Sequence, residues 1–220
     1  MPDPLPVVAA FDLDGTLTEG GSVVAWLRFI AGPHATVAAL ARLAVPLTVG
    51  AIRSGPSADG AKERLFEALL AGRELDEVVT RSRVFALEHL TSRIRPRVAA
   101  RLAWHRSQGH DVVVVSASPD LYVQGVADQL GAVGALGTRL AVDDGRLTGR
   151  YLSQNCRGSE KLRRLEEWTA QRNYASAPET YAYGNSRGDR RLLAGAAHPF
   201  NVGRLGRVGA LRSFPRLASR

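Results

Sequence analysis

A single cysteine, Cys156, in 220 residues excludes a disulfide framework and any cysteine-rich zinc site. Lysine is almost as scarce. Of 29 basic residues only Lys62 and Lys161 are lysine, so each stands out against a background of arginine. The histidines His34, His89, His105, His110 and His198 show no metal-ligand spacing, and each reads as helix or loop surface. Aromatic residues make up only 6%, and Trp26, Trp104 and Trp168 fall in helical stretches where they read as core. The opening Met-Pro-Asp-Pro-Leu-Pro has no basic stretch leading into an apolar one. It therefore reads as lacking a signal peptide, and the expected location is the cytoplasm. Gly203-Arg-Leu-Gly-Arg-Val-Gly209 has the wrong glycine spacing for a dinucleotide fingerprint, and there is no Walker sequence, internal repeat or low-complexity tract.

The composition that remains, 45% hydrophobic and 23% charged, suffices to bury a core in one α/β domain with a large insertion, or in two small domains. The net charge of +8 is unevenly spread. Up to Asp189 there are 22 Lys+Arg against 21 Asp+Glu, and from Arg190 onward seven Arg and no acidic residue. The bulk of the chain is therefore nearly neutral, which argues against a nucleic-acid partner. The Arg-rich C-terminal segment leaves an anionic lipid surface as a partner to consider, with a location peripheral to the membrane.

Pro6–Phe11 is a short apolar run suited to a buried strand, followed by Asp12-Leu-Asp-Gly-Thr-Leu-Thr18. Residues 22 to about 95 read as helices: Val23–Ile30 capped by Ser22 and stopped at Gly32-Pro33, then Ala35–Ile52, Ala61–Leu70 and Leu75–Leu90. Val37–Ile52 is short of the ~18–20 apolar residues that span a bilayer and is broken by Arg42 and Pro46. It reads as a kinked, buried helix, with an amphipathic surface dipping into lipid as the alternative. After Arg95-Pro-Arg97, helix and strand alternate: Val98–Gln108, strand Asp111–Ser116, helix Leu121–Leu130, a hairpin within Leu136–Tyr151 turning at Asp143-Asp-Gly145, helix Gly158–Ala170, strand Thr180–Tyr183 and helix Arg187–Leu193. Such alternation implies a parallel sheet with crossovers, the Rossmann-like three-layer α/β class, and the helical block reads as an insertion into it.

The chemistry lies where strands end. Asp12 and Asp14 stand at the carboxyl end of the first strand, the edge at which open α/β sheets bind ligands. One can serve as nucleophile or metal ligand and the other as acid/base. Ser116 closes a later strand, Asn185 and Asp189 lie in Gly184-Asn-Ser-Arg-Gly-Asp189, and Lys161 opens a helix. Each by itself reads as an ordinary turn, helix cap or surface charge. Together they bring hard oxygen ligands suited to Mg²⁺, and a lysine and hydroxyl suited to a phosphoryl group, to one sheet edge.

These four segments, in this order, resemble the motifs of the haloacid-dehalogenase (HAD) superfamily, and the insertion after the first resembles the cap of its phosphoserine-phosphatase-like subclass IB. The resemblance implies a catalytic core of residues 1–17 and 96–220 with a helical cap of 18–95. It implies a Mg²⁺-dependent phosphomonoester hydrolase acting through an aspartyl-phosphate on a small phosphorylated metabolite. Asp12 would be the nucleophile and Asp14 the general acid/base. Asp12, the backbone carbonyl of Asp14 and Asn185 would hold the metal, and Ser116, Lys161, Thr16 and Ala117 would bind the phosphoryl group. Asp189 would orient Lys161 or a metal-bound water.

The chain departs from the pattern at instructive places. Many relatives carry Asp at the position of Asn185, which weakens the expected hold on metal. Phosphoserine phosphatases have Glu, Gly-Gly and Asn where this chain has Gly21, Ala117-Ser118 and Gly188, so a different substrate is expected. Two other readings stay open: a membrane-associated phospholipid head-group phosphatase of the phosphatidylglycerophosphate type, and a non-catalytic phosphate- or anion-binding module.

Overall fold

The computed structural model describes residues 5–53, 56–203 and 209–217. The Arg-rich segment assigned from sequence is thus only partly in view, with Arg204, Arg207 and Arg220 outside the described residues. Among the described residues, β1 (Val7–Phe11), β2 (Asp111–Pro119), β3 (Gly134–Thr138), β6 (Glu179–Gly184) and β7 (His198–Asn201) form a parallel sheet in the order β3-β2-β1-β6-β7. β1 sits at its centre because Val8, Ala9, Ala10 and Phe11 are apolar on both faces and buried on both. Val112–Val115 of β2 are buried in the same way. One face is covered by α6 (Pro96–Ser107) and α7 (Asp120–Leu130), which share a cluster with Ala9, Phe11, Val112 and Val114. The other carries α8 (Ser159–Ala170) and α9 (Arg190–Ala194) over Val8, Ala10, Val113 and Val115. The expected three-layer α/β core is therefore present. β7 has no counterpart in the sequence reading: His-Pro-Phe-Asn is too short to show alternation, and its proline is tolerated because the strand lies at the sheet edge.

Between β1 and α6 the chain runs through α1 (Val23–Ala31), α2 (Pro33–Arg42), α3 (Ala44–Arg53), α4 (Pro56–Leu70) and α5 (Leu75–Arg93). The separate hairpin of β4 (Leu140–Asp143) and β5 (Arg146–Tyr151) packs against α4, its main-chain groups bonding to Gly72, Arg73 and Leu75. Asp144 (φ 44°) and Gly145 (φ 73°) both occupy the left-handed region its tight turn requires.

Several expectations need correction. The hairpin starts at Leu140; Leu136 belongs to β3 in the main sheet, where it pairs with Val115. The single kinked helix expected over Val37–Ile52 is two helices divided at Leu43, with Pro46 in the first turn of the second, where its missing N–H costs little. That stretch is buried along one face only: Ala39 joins the core with Leu40 and Leu43 against it, while Val37 is 61% and Val45 76% exposed, and the side chain of Ile52 lies outside the described residues. Ser22 does not cap α1 with its side chain; it is buried and bonded elsewhere. His89 and His105 are buried rather than on the surface, and Trp104 is 38% exposed rather than core. Periodicity reports which residues are apolar, not whether a neighbour covers them.

Candidate active site

The first strand stops because its next residues must turn. Asp12 N–H still continues the ladder to the Tyr183 carbonyl (3.0 Å), but at Gly15 the chain adopts φ +80°. A Cβ at Gly15 would lie 2.2 Å from Asn185 Nδ2, so only glycine permits both the turn and the close approach of the β6 end. Across that gap, Gly184 lets the chain fold back: a Cβ there would lie 2.5 Å from the Asp189 Cβ. Asp189 Oδ2 then accepts from Asn185 N (3.1 Å), Ser186 N (2.9 Å) and Ser186 Oγ (2.8 Å), which fixes the loop.

Lys161 reaches this edge from the first turn of α8. Its Nζ donates to Asp12 Oδ1 at 2.5 Å and to Asp189 Oδ1 at 2.6 Å, with all three side chains buried. One buried cation thus faces two buried carboxylates. Burial would raise Asp189, but Lys161 and the Ser186 hydrogen bonds hold it below the usual carboxylate range. Asp12 is left at a disadvantage: burial and the charge of Asp189 push it up to about 7, against the pull of Lys161. Burial would likewise depress Lys161, yet the two carboxylates keep it above its ordinary value and charged.

Asp14 is half-buried and held from two sides. Its Oδ1 accepts from Ser22 N at 2.8 Å and its Oδ2 from Ser118 Oγ at 2.6 Å. Ser22 Oγ meets Tyr122 OH at 2.6 Å, so the start of the insertion, the end of β2 and α7 converge on this carboxylate. Ser116, also buried, accepts from Ser118 N through its Oγ at 3.1 Å. Ala117 presents its carbonyl to Lys62 Nζ (2.7 Å) and Thr138 Oγ1 (2.7 Å). Thr16 is buried with its hydroxyl on Asn185 Oδ1 at 3.1 Å.

The chemistry of the oxygens beside Asp12 tests whether a cation belongs there. The Asn185 amide end that faces the site lies 3.1 Å from Asp12 Oδ2, 3.1 Å from the Asp14 carbonyl and 3.1 Å from Thr16 Oγ1. With its oxygen turned in, carboxylate, carbonyl and amide form an all-oxygen cluster; with its nitrogen turned in, the amide donates to the same groups. Neighbouring oxygens around a small octahedral cation lie about 3 Å apart, so this set fits a hard divalent ion. It contains one acidic side chain, and among the described residues no group of three His, Cys, Asp or Glu gathers for a metal. A cleft of about 900 Å³ borders the other side of the loop, lined by Gly15, Asn185, Arg93, Arg95 and Arg187 among others.

The structure thus brings Asp12, Asp14, Thr16, Ser116, Ala117, Lys161, Asn185 and Asp189 to one sheet edge. Sequence reasoning gives no site role to Ser22, Ser118, Tyr122 or Lys62, which surround Asp14 and Ala117. From sequence Ser22 reads as a helix cap and Ser118 as part of a departure from the phosphoserine-phosphatase pattern, and the rarity of lysine draws attention to Lys62.

A family model described as haloacid dehalogenase-like hydrolase matches residues 9–194. Protein CicA of Caulobacter vibrioides is 36% identical over 193 residues, covering 86% of this chain and 82% of CicA. A histidinol-phosphatase of Neisseria meningitidis serogroup C is 27% identical over 198 residues, 89% of each chain. A phosphoserine phosphatase solved as a phospho-aspartyl intermediate analogue shares the fold with a TM-score of 0.62 at 20% identity, covering 90% of this chain and 87% of that one.

Proposed function

This chain belongs to the haloacid dehalogenase-like hydrolase family and is a phosphatase of it, and from that premise we propose a Mg²⁺-dependent phosphomonoesterase that works through an aspartyl-phosphate on a small phosphorylated metabolite. The observation that carries this reading is the buried lysine on the nucleophile: Lys161 Nζ at 2.5 Å from Asp12 Oδ1. A dianionic phosphate approaches a carboxylate only where cations screen both.

Asp12, the Asp14 carbonyl and Asn185 would hold Mg²⁺, which when bound supplies charge neutralisation to the carboxylate and the phosphoryl oxygens. An Asp12 oxygen attacks phosphorus while Lys161 offsets the charge of both groups, and the phosphorus–oxygen bond to the leaving group breaks. Asp14, aligned by Ser22 N–H and Ser118 Oγ, donates its proton to the departing oxygen. It then takes a proton from the water that attacks the aspartyl-phosphate, releasing orthophosphate and restoring Asp12. Ser116, Thr16 and Ala117 complete the phosphoryl cradle, and Asp189 keeps Lys161 in place. Residues 1–17 and 96–220 act as the catalytic core, and 18–95 as a cap that excludes water and selects the leaving group. Gly21 lies in open space, with nothing within 4 Å of where a side chain would start. The absence of a carboxylate there, where phosphoserine phosphatases resemble one another in carrying Glu, favours a leaving group other than serine.

The exposed valines favour a second reading, a substrate met at a lipid surface. Val37 and Val45 stand out on helices that carry Arg42 and no acidic residue, although no helix among the described residues is long and apolar enough to cross a membrane. Phosphate release from a panel of soluble monoesters and lipid phosphates, with and without Mg²⁺, separates the two. The phosphatase reading requires turnover that Asp12→Asn abolishes; appreciable activity in that variant would overturn the mechanism.

A further inference from the structure

The second lysine of the chain has a place in the site. Lys62, on α4 of the helical insertion, donates to the Ala117 carbonyl at 2.7 Å and to Asn155 Oδ1 at 3.0 Å. Phe66 and Tyr151 wall the ammonium at 5.7 and 5.8 Å from their ring centres. Asn155 in turn donates to Asp59 Oδ1 at 2.6 Å, and Arg157 stands 3.7 Å from the same oxygen. The contact therefore ties α4, the loop before α8 and the end of β2 into one network.

The peptide between Ala117 and Ser118 is rigid, so fixing its carbonyl fixes its N–H. That N–H donates to Ser116 Oγ at 3.1 Å, and the side chain it carries, Ser118 Oγ, holds Asp14 Oδ2 at 2.6 Å. Lys62, with Thr138 Oγ1 on the same carbonyl at 2.7 Å, thus grips the peptide unit whose N–H meets the Ser116 hydroxyl and whose Ser118 side chain holds the Asp14 carboxylate. Burial pushes Lys62 down to about 8 against the charges of Asp59 and Asp14. Keeping a cation there is costly unless its contacts do something.

We propose that Lys62 is a positioning residue through which the helical insertion sets the Ala117–Ser118 peptide, and with it Ser116 and Asp14, for phosphoryl binding and proton transfer. This rests on the phosphatase reading above, and it assigns the insertion a part in assembling the site beyond selecting the leaving group.

The test uses the whole chain with Mg²⁺, measuring orthophosphate binding by titration calorimetry and the kinetics of p-nitrophenyl phosphate hydrolysis. Lys62→Met should weaken orthophosphate binding at least tenfold and lower kcat at least tenfold. Lys62→Gln, which keeps one donor for the carbonyl, should fall between it and the wild type. Ser118→Ala combined with Lys62→Met should lose less than the product of the separate losses, because both act through one peptide unit. Lys62→Met within twofold of wild type, or losses that multiply, would overturn the proposal; if Lys62→Met does not fold, Lys62→Gln within twofold does so. A wild type that binds orthophosphate but turns nothing over removes the phosphatase reading, and the binding series then decides on Lys62. A wild type that does not bind orthophosphate removes both.

Discussion

Ser118 donates its hydroxyl to Asp14 at 2.6 Å from a position 104 residues further along the chain. A glycine at this position could not make that side-chain hydrogen bond, so Ser118 adds a restraint to the Asp14 carboxylate. With Ser22 N–H on the other oxygen, Asp14 is fixed in orientation. Ser118→Ala frees one oxygen of that carboxylate. General acid–base catalysis contributes about 10²–10⁴ in rate, and losing its alignment should forfeit roughly a tenfold share of kcat. KM should change little, since the residue is aimed at Asp14; the kcat and KM of p-nitrophenyl phosphate hydrolysis check both.

Asn185→Asp should tighten Mg²⁺ binding. The side chain already lies 3.1 Å from Asp12 Oδ2 and the Asp14 carbonyl, so the change adds a charge without moving a donor. Roughly a tenfold drop in the Mg²⁺ concentration giving half-maximal activity is expected, equal to about 1.4 kcal/mol. Without metal the same variant places a further carboxylate beside Asp12 and should melt at lower temperature than wild type. Mg²⁺ titrations of activity and thermal melts in EDTA measure the two effects.

Lys161→Met removes the cation shared by Asp12 and Asp189. Breaking a buried ion pair by deleting one partner costs about 3–5 kcal/mol, because the remaining charge is left uncompensated. Urea unfolding at pH 8 should show a loss of that order. Without Lys161 the buried carboxylates titrate above their unfolded values, so protonation relieves the penalty and the loss should shrink as pH falls from 8 to 5. Activity should vanish at every pH.

His105, packed edge-on to Phe11 with ring centres 5.9 Å apart, supplies a pH dependence of its own. It is buried against Tyr183 OH (2.9 Å) and His110 Nδ1 (2.8 Å), and burial with the nearby charges of Arg101 and His110 pushes it down to about 3. The unfolded chain takes up that proton near pH 6.5 and the folded chain only near 3, so stability is full above 6.5 and declines as pH falls between the two. The share lost from pH 7 to pH 5 is about 2 kcal/mol. Urea titrations at pH 7, 6 and 5 should show a steeper decline in wild type than in His105→Gln.

Much of this site was legible because it is built from local signals. The apolar run Val7–Phe11 ending in two aspartates names a buried strand and its functional edge at once, since only a strand covered on both faces is apolar throughout. The alternation after Pro96 likewise implies parallel strands, and parallel strands deliver their carboxyl ends to one side. The sequence pattern alone therefore groups Asp12, Ser116, Lys161 and Asn185.

Tertiary structure decided whatever depends on which surfaces meet. Lys161 touches Asp12 across 149 residues and Lys62 meets Ala117 across 55, separations at which periodicity is silent. Val37 and Val45 read as core because they are apolar, yet no described neighbour covers them. His105 read as surface because it is polar, yet Tyr183 and His110 satisfy it in the interior. Sequence by itself determined the parallel core, the edge at which its strands end and most of the candidate residues carried there, because strand burial and strand-end turns are written locally. Only the tertiary structure decided how Asp14 is aligned, how the insertion reaches the site and which side chains are covered, because these are contacts between segments that local patterns do not encode.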